Sequence, residues 1–543
     1  MPIEYTPWPE AFVRKYREQG YWRGAPLTEI LQSARRRAPD AIALICGDRH
    51  FTYAELDARS SRLACSLARR GIATGDKALV QLPNVAEFYI VFFALLKIGA
   101  APVNALFNHD RLEMTAYAEQ LQPKLLIASA EHRLFPDDAY LRRLQSVSPA
   151  LRVVLIHGPT EYAERLESLW EGDSIGAVGD LRPSAPDEVA FFQLSGGSTG
   201  APKLIPRTHD DYAYSVRRSA EICRLTPESR YLCALPAAHN FPLSSPGALG
   251  VFHSGGTVVM AQNPSASLCF ELIRRHRVNF TAIVPTIASL WLDSAVDEPL
   301  GAPQLTVMQV GGARLNEGVA RRLVAVFGCR LQQVFGMAEG LVNYTDLDDN
   351  SGRVFTTQGR PMSPDDEVKV VDASGGEAAA GQIGELLTRG PYTIRGYYRS
   401  PEYNARAFDD EGFYRTGDLV ELTPDGYLKV VGRKKDQINR GGEKIAAEEI
   451  ENLLLRHDAV LHAALISIPD SLMGEKSCAY IVTSDAALRP IALRKHLRSQ
   501  GVAEFKLPDR FEFLDQMPLT AFGKIDKQTL RSNIETKRDI PSE

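Results

Sequence analysis

No two of the seven cysteines (Cys46, Cys65, Cys223, Cys233, Cys269, Cys329 and Cys478) are spaced as Cys-x-x-Cys, and their number is odd. A disulfide scaffold or a cysteine zinc site is therefore not what organises this chain, and free thiols in a reducing cytoplasm are expected. The opening stretch MPIEYTPWPE has neither a basic start nor an apolar core, so no signal peptide is expected in it. Long apolar runs are missing too. The longest, Phe88 to Leu96, ends at Lys97 and Gly99, is too short to cross a bilayer, and reads as a buried core helix. An excess of positive charge is also absent: the formal net charge of −5 offers nucleic acid no electrostatic footing. No repeat of the solenoid or propeller type is visible.

What remains is an ordinary globular composition, 44% hydrophobic and 24% charged, over 543 residues, enough for more than one domain. Helical patterns at 60–70 and 87–97 alternate with short strand-like runs at 78–81, 101–104, 125–128, 152–157, 257–261, 280–284 and 306–310. That rhythm predicts α/β layers with parallel sheets. Beyond about residue 350 the strands at 367–371, 384–388 and 427–431 are separated by Gly and Asp turns and predict a small β-rich subdomain. A boundary is expected near Gly432-Arg433-Lys434-Lys435-Asp436. After it, a helix (446–456), strands (461–468 and 478–483), a helix (491–500) and a strand (510–514) make an α+β unit able to hold its own core. The expected fold is α/β: a large multi-subdomain N-terminal domain, 1–435, with a β-rich subdomain, plus a small mobile C-terminal α+β domain, 436–543.

The most informative segment is Ser195-Gly196-Gly197-Ser198-Thr199-Gly200-Ala201-Pro202-Lys203, which follows an apolar run ending at Leu194. Glycines let a backbone turn its N–H groups toward one point, hydroxyls add donors, and the lysine adds charge: the parts of a phosphate cradle. It is not a Walker A loop. Lys203 lies three residues after Gly200 and is followed by Leu204, so no neighbouring hydroxyl holds Mg²⁺. A helix is expected after Thr208.

Further segments follow in order: Gly311-Gly312-Ala313, Phe335-Gly336-Met337-Ala338-Glu339, Tyr414-Arg415-Thr416-Gly417-Asp418, Gly432-Arg433, Gly441-Gly442-Glu443-Lys444, and Pro518-Leu519-Thr520-Ala521-Phe522-Gly523-Lys524. Each alone reads as a common turn. Together, and across essentially the whole chain, they resemble the adenylate-forming superfamily of acyl-CoA ligases, luciferases and nonribosomal-peptide adenylation domains. The runs FFQLSGGSTGAPKLIPRTH, AAHNFPLSSPGALGVF and QVFGMAEGLVNYT resemble, within it, the stand-alone aryl-acid (2,3-dihydroxybenzoate) AMP ligases of siderophore biosynthesis. Ala338 stands where most of the superfamily has Thr and where the aryl-acid subgroup has Ala.

The resemblance implies two half-reactions, formation of an aryl-adenylate from ATP with Mg²⁺ and transfer of the aryl group to a thiol. It implies Lys524, Lys203 and His239 as catalytic residues. Ser195, Gly196, Gly197, Ser198, Thr199 and Gly200 would hold phosphates, and Glu339 the Mg²⁺. Asp418 and Arg433 would meet the ribose. Gly311, Gly312, Ala313, Val334, Phe335 and Gly336 would surround the adenine, with the Phe335 ring either its stacking partner, a core residue, or both in part. His239, Asn240, Phe241, Ser245, Gly312 and Val342 would form the aryl pocket, Asn240 reading a 2-hydroxyl and Ser245 a 3-hydroxyl from one Pro-bounded loop. Asp436 is the implied hinge, and Gly441, Gly442, Glu443 and Lys444 the loop of the thioester step. The implied partners are the aryl acid and an aryl carrier protein with its phosphopantetheine arm; neither nucleic acid nor a membrane is expected. Salicylate as substrate and CoA as acceptor stay open, and a luciferase or a non-catalytic adenylate-binding protein are the remaining alternatives.

Overall fold

The computed structural model describes residues 2–170, 181–194, 203–372, 374–440, 443–470, 473–500, 502, 504–520 and 523–538. Two large sheets carry the first two thirds of the chain. One has nine strands, and its centre is parallel: Arg330–Gly336, Val307–Gly311, Phe280–Ile283, Arg230–Cys233, Thr257–Met260 and Ile42–Cys46 lie side by side in that order. Antiparallel strands, among them Val342–Tyr344 and Arg49–Thr52, close its two edges. The other has seven strands, parallel except for the edge hairpin of Val189–Leu194 with Leu204–Thr208.

Apolar residues from both sheets meet in one cluster around the helix Ala86–Lys97, every residue of which is buried. This is why its sequence is apolar all round rather than striped. Its one cation, Lys97, is held by Asp57 Oδ1 at 2.6 Å and by the hydroxyls of Ser60 and Ser61. The preceding helix runs Tyr53–Arg69, seven residues longer at its start than the periodicity predicts. A capping box causes this: Thr52 Oγ1 accepts from the Glu55 N–H while Glu55 accepts from the Thr52 N–H.

A four-stranded antiparallel sheet follows, Glu367–Val371, Ile383–Arg389, Tyr414–Leu422 and Leu428–Arg433. The chain then makes a 3₁₀ turn at Lys434–Asp436 and enters a separate five-stranded sheet at Gln437–Arg440. That sheet and the helices Ala447–Leu454, Pro490–Ser499 and Lys527–Arg538 form a small C-terminal α+β domain with its own apolar clusters. Among the described residues no helix is long and apolar enough to cross a membrane.

Candidate active site

The glycine-rich loop leaves Val189–Leu194 and returns as Leu204–Thr208, so it joins an antiparallel hairpin. The helix His209–Ile222 does begin after Thr208, capped by its hydroxyl, but a five-residue strand separates it from Lys203. Ser195, Gly196, Gly197, Ser198, Thr199 and Gly200 lie outside the described residues. Lys203 is described. Its ammonium stands 3.9 Å from the ring centre of Tyr403, a cation–π distance. Burial lowers its pKa, and the charge of Glu339 opposes that.

Glu339 follows the strand Arg330–Gly336 and is 7% exposed. Tyr397 donates its hydroxyl to Glu339 Oε1 at 2.6 Å, and the Tyr414 hydroxyl is 2.9 Å from that of Tyr397. Burial, with the Glu339 charge beside it, keeps the Tyr397 phenol protonated far above its ordinary range. Among the described residues no group of three or more His, Cys, Asp or Glu is gathered for a metal. A lone buried carboxylate in a cleft is a donor whose chemistry fits a hard cation that keeps most of its water.

Asp418 and Arg433 face each other directly across neighbouring antiparallel strands, and Arg433 Nε meets Asp418 Oδ1 at 2.8 Å. The Asp418 carboxylate holds the Arg433 guanidinium above its usual pKa. Thr416 Oγ1 accepts from the Asp418 N–H at 3.0 Å, with Gly417 between them at φ +71°.

The presumed Pro-bounded loop is instead a short helix, Asn240–Ser244, with His239 as its N-cap. Nδ1 of His239 accepts from the Phe241 N–H at 3.1 Å, so the neutral ring carries its proton on Nε2. Burial, then Lys524 and His109, push the His239 pKa down to about 3. It is a neutral donor at any working pH. Ser245, 4% exposed, stands beside the Tyr344 hydroxyl, which donates to Ser219 Oγ at 2.8 Å. Gly311 is buried under this wall. A Cβ there would stand 2.7 Å from the Val334 carbonyl and 3.0 Å from the Phe241 ring.

Lys524 arrives from the small C-terminal domain on a tight turn. Thr520 N–H donates to the Lys524 carbonyl at 2.6 Å, and Gly523 turns the chain at φ +78°. Thr286 of the large domain donates its hydroxyl to the Gly523 carbonyl at 2.6 Å, and this seats the turn against the helix Pro285–Asp297.

Lys203, Glu339, Asp418, Arg433, His239, Ser245 and Lys524 border one cleft of about 840 Å³. Of the residues singled out from the sequence, it is lined by Lys203, His239, Asn240, Phe241, Ser245, Gly312, Val334, Gly336, Glu339, Val342, Asp418, Arg433 and Lys524. For Phe335 the structure favours the core, the second of the two roles left open. It lies between Val334 and Gly336, which face the cleft, and along a strand its side chain takes the other face. There it packs against the cluster of Leu341, Val370 and Leu386, so it is not part of the cleft wall as an adenine-stacking ring. Gly311 and Ala313 are also off the wall, the first buried and the second exposed. Asp436 does not reach the cleft; its Oδ1 pairs with Arg531 at 3.1 Å. Gly441 and Gly442 lie outside the described residues, and the strand Glu443–Ala446 pairs with Gln437–Arg440. Sequence reading missed Tyr397, Tyr403 and Arg406, which line the cleft, and Tyr212 behind it, and it gave no role to Tyr414 and Tyr344 although both stand in the quoted segments. No motif marks the first four, since an isolated tyrosine or arginine carries no signal of its partner.

A large α/β domain, a small α+β domain and a lysine carried by the second into a cleft of the first define an acyl-adenylate-forming enzyme. The family model for the AMP-binding enzyme matches residues 31–398, and that for the AMP-binding enzyme C-terminal domain matches 449–524. Enterobactin synthase component E of Escherichia coli K12 is 58% identical, over 98% of this chain and 98% of its own. The vibriobactin-specific 2,3-dihydroxybenzoate-AMP ligase of Vibrio cholerae is 49% identical over 99% of each chain. Among solved structures, apo MbtA of Mycobacterium smegmatis is 43% identical, with a TM-score of 0.76 over 97% of this chain and 98% of its own. The chain belongs to the AMP-binding enzyme family.

Proposed function

We propose that this protein activates 2,3-dihydroxybenzoate with ATP and passes the aryl group to the phosphopantetheine thiol of an aryl carrier protein in siderophore biosynthesis, in the cytoplasm. The observation that carries this is one cleft holding Lys524, Lys203, Glu339, the Asp418–Arg433 pair and a small polar pocket of Asn240 and Ser245. The name of the Vibrio cholerae relative supplies the acid. The aryl end, formed by His239, Asn240, Phe241, Ser245, Gly312 and Val342, has no carboxylate to pair an ammonium, which favours a plain aromatic acid over an amino acid.

In the first half-reaction a carboxylate oxygen bonds to the α-phosphorus and the bond to pyrophosphate breaks. His239 Nε2–H holds the carboxylate without protonating it, and so leaves its charge available for attack. Lys524 bridges the carboxylate and the α-phosphate. At about 4 Å and an effective dielectric of about 20 a unit charge is worth about 4 kcal/mol. Lys203 faces the departing phosphates, and Asp418, backed by Arg433, accepts from the ribose hydroxyls. Glu339, which accepts from the Tyr397 hydroxyl, would hold Mg²⁺, which neutralises phosphate charge when bound. In the second half-reaction the thiol sulfur bonds to the acyl carbon and AMP leaves. For that step residues 436–543 form a mobile domain hinged at Asp436 that exchanges the Lys524 turn for the 441–444 loop.

ATP–pyrophosphate exchange across a panel of benzoic acids and amino acids tests the reading. 2,3-Dihydroxybenzoate is expected to lead, with AMP then released faster by a loaded carrier protein than by free CoA. Exchange driven by an amino acid and by no benzoate overturns the proposal, and faster release with CoA overturns the acceptor.

A further inference from the structure

The amide of Asn240 can present either its oxygen or its NH₂ to a ligand. Tyr212, on the helix His209–Ile222, donates its hydroxyl to Asn240 Oδ1 at 2.8 Å. The same hydroxyl accepts from Gln193 Nε2 at 3.3 Å. A phenol has one proton. With Gln193 donating to its oxygen, that proton is directed at Asn240. Ser244 Oγ stands 3.4 Å from the same Oδ1. The amide oxygen is therefore satisfied from the protein side, while Asn240 lines the cleft and its Nδ2 has no partner among the described residues.

Tyr212 is in no position to release this grip. It is 1% exposed, set edge-on to Phe191 at 4.6 Å, with the guanidinium of Arg207 at 4.9 Å from its ring. Arg207 is itself fixed by Asp211 at 2.6 Å. Burial pushes the Tyr212 phenol up to about 12, so it remains a donor.

Resting on the aryl-acid reading, we infer that Tyr212, set by Gln193, is a positioning residue that locks the Asn240 NH₂ toward the ligand, so that the site selects acids with a hydrogen-bond acceptor on the ring carbon beside the carboxyl and disfavours those with a donor there. An ortho hydroxyl gives its proton to its own carboxylate and offers lone pairs outward, matching the NH₂. An ortho amine also gives one N–H to the carboxylate, but its lone pair is drawn into the ring and its second N–H points outward. Two donors then face each other, and one is left unpaired in a closed site.

The experiment compares kcat/KM for 2-hydroxybenzoate and 2-aminobenzoate in ATP–pyrophosphate exchange. The native enzyme is expected to favour the hydroxy acid by about 100-fold, the scale on which a buried donor left unpaired is rejected. Tyr212→Phe keeps the ring and frees the amide to turn over, so the ratio is expected to narrow about tenfold, and further in Tyr212→Phe/Ser244→Ala. A merely structural role would depress both acids alike and leave the ratio in place. An unchanged ratio in Tyr212→Phe that melts like the native protein overturns the inference. Equal use of the two acids by the native enzyme does so without any variant, which covers the case in which Tyr212→Phe does not fold. If no benzoate at all supports exchange, the aryl-acid reading fails and the inference with it.

Discussion

Replacing Thr286 by valine removes one hydroxyl and keeps nearly the same shape. That hydroxyl makes the 2.6 Å bond to the Gly523 carbonyl through which the large domain seats the Lys524 turn. The turn has its own ties, the Thr520 N–H to the Lys524 carbonyl and the Lys524 N–H to Thr520 Oγ1 at 3.2 Å, so the substitution leaves it folded. A neutral hydrogen bond is worth about 1 kcal/mol net, close to a factor of five, and about 3 kcal/mol if the abandoned carbonyl stays dry. Gly523 is only half-buried, so water reaches it and the lower figure applies. Adenylation measured by ATP–pyrophosphate exchange should therefore fall about fivefold in Thr286→Val, against about a thousandfold in Lys524→Ala, which deletes a charge worth about 4 kcal/mol. Transfer from a preformed aryl-adenylate to a carrier thiol should be unaffected by Thr286→Val. A loss in Thr286→Val as deep as in Lys524→Ala would refute the reasoning, because the hydroxyl would then be acting on the chemistry. No loss at all would refute it from the other side, since the seat would not limit the lysine.

Ser245→Ala should narrow the preference for 2,3-dihydroxybenzoate over salicylate, expected at about 10- to 100-fold, by weakening use of the dihydroxy acid; an unchanged ratio of kcat/KM would remove Ser245 as the reader of the 3-hydroxyl. Asp436→Pro fixes φ at the turn between the two domains and should slow whole turnover more than either half-reaction; native turnover would place the hinge elsewhere. His209 is fully buried and neutral, its Nδ1 accepting from the Leu27 N–H at 3.0 Å and its Nε2 lying 3.0 Å from Ser184 Oγ, with burial holding its pKa at about 4. The unfolded chain takes up a proton here near pH 6.5 and the folded one does not until about pH 4, so this contribution is whole above pH 6.5 and lost as pH falls, at about 1.4 kcal/mol per unit. His209→Gln should flatten the pH dependence of urea midpoints between pH 6.5 and 4, and an unaltered slope would contradict it.

Much of the site was legible in the chain because special backbone demands special residues. Gly312 at φ +83° and Gly523 at φ +78° occupy conformations that other side chains rarely adopt, and they mark a turn on the cleft wall and the Lys524 turn in plain letters. The polar residues beside such glycines, Asp418, Arg433, Glu339 and Lys524, were singled out by resemblance, and the fold brings all four to one cleft. The alternation of apolar runs likewise announced parallel layers, since strands buried on both faces have to be apolar throughout. Partnership across sequence distance was not legible. Tyr397 reaches Glu339 over 58 positions, Tyr212 reaches Asn240 over 28, and Thr286 meets Gly523 over 237. Nothing in a tyrosine's neighbours says whether its hydroxyl will meet solvent, a carbonyl or a catalytic carboxylate. Phe335 makes the same point: its motif left open the adenine or the core, and strand alternation beside the small antiparallel sheet turned it toward the core. Residue type sets what a side chain is able to do, and local sequence sets the turns that hold it. Which groups it meets is decided by sheet register and by the packing of one domain on another, and those exist only once distant segments have folded together.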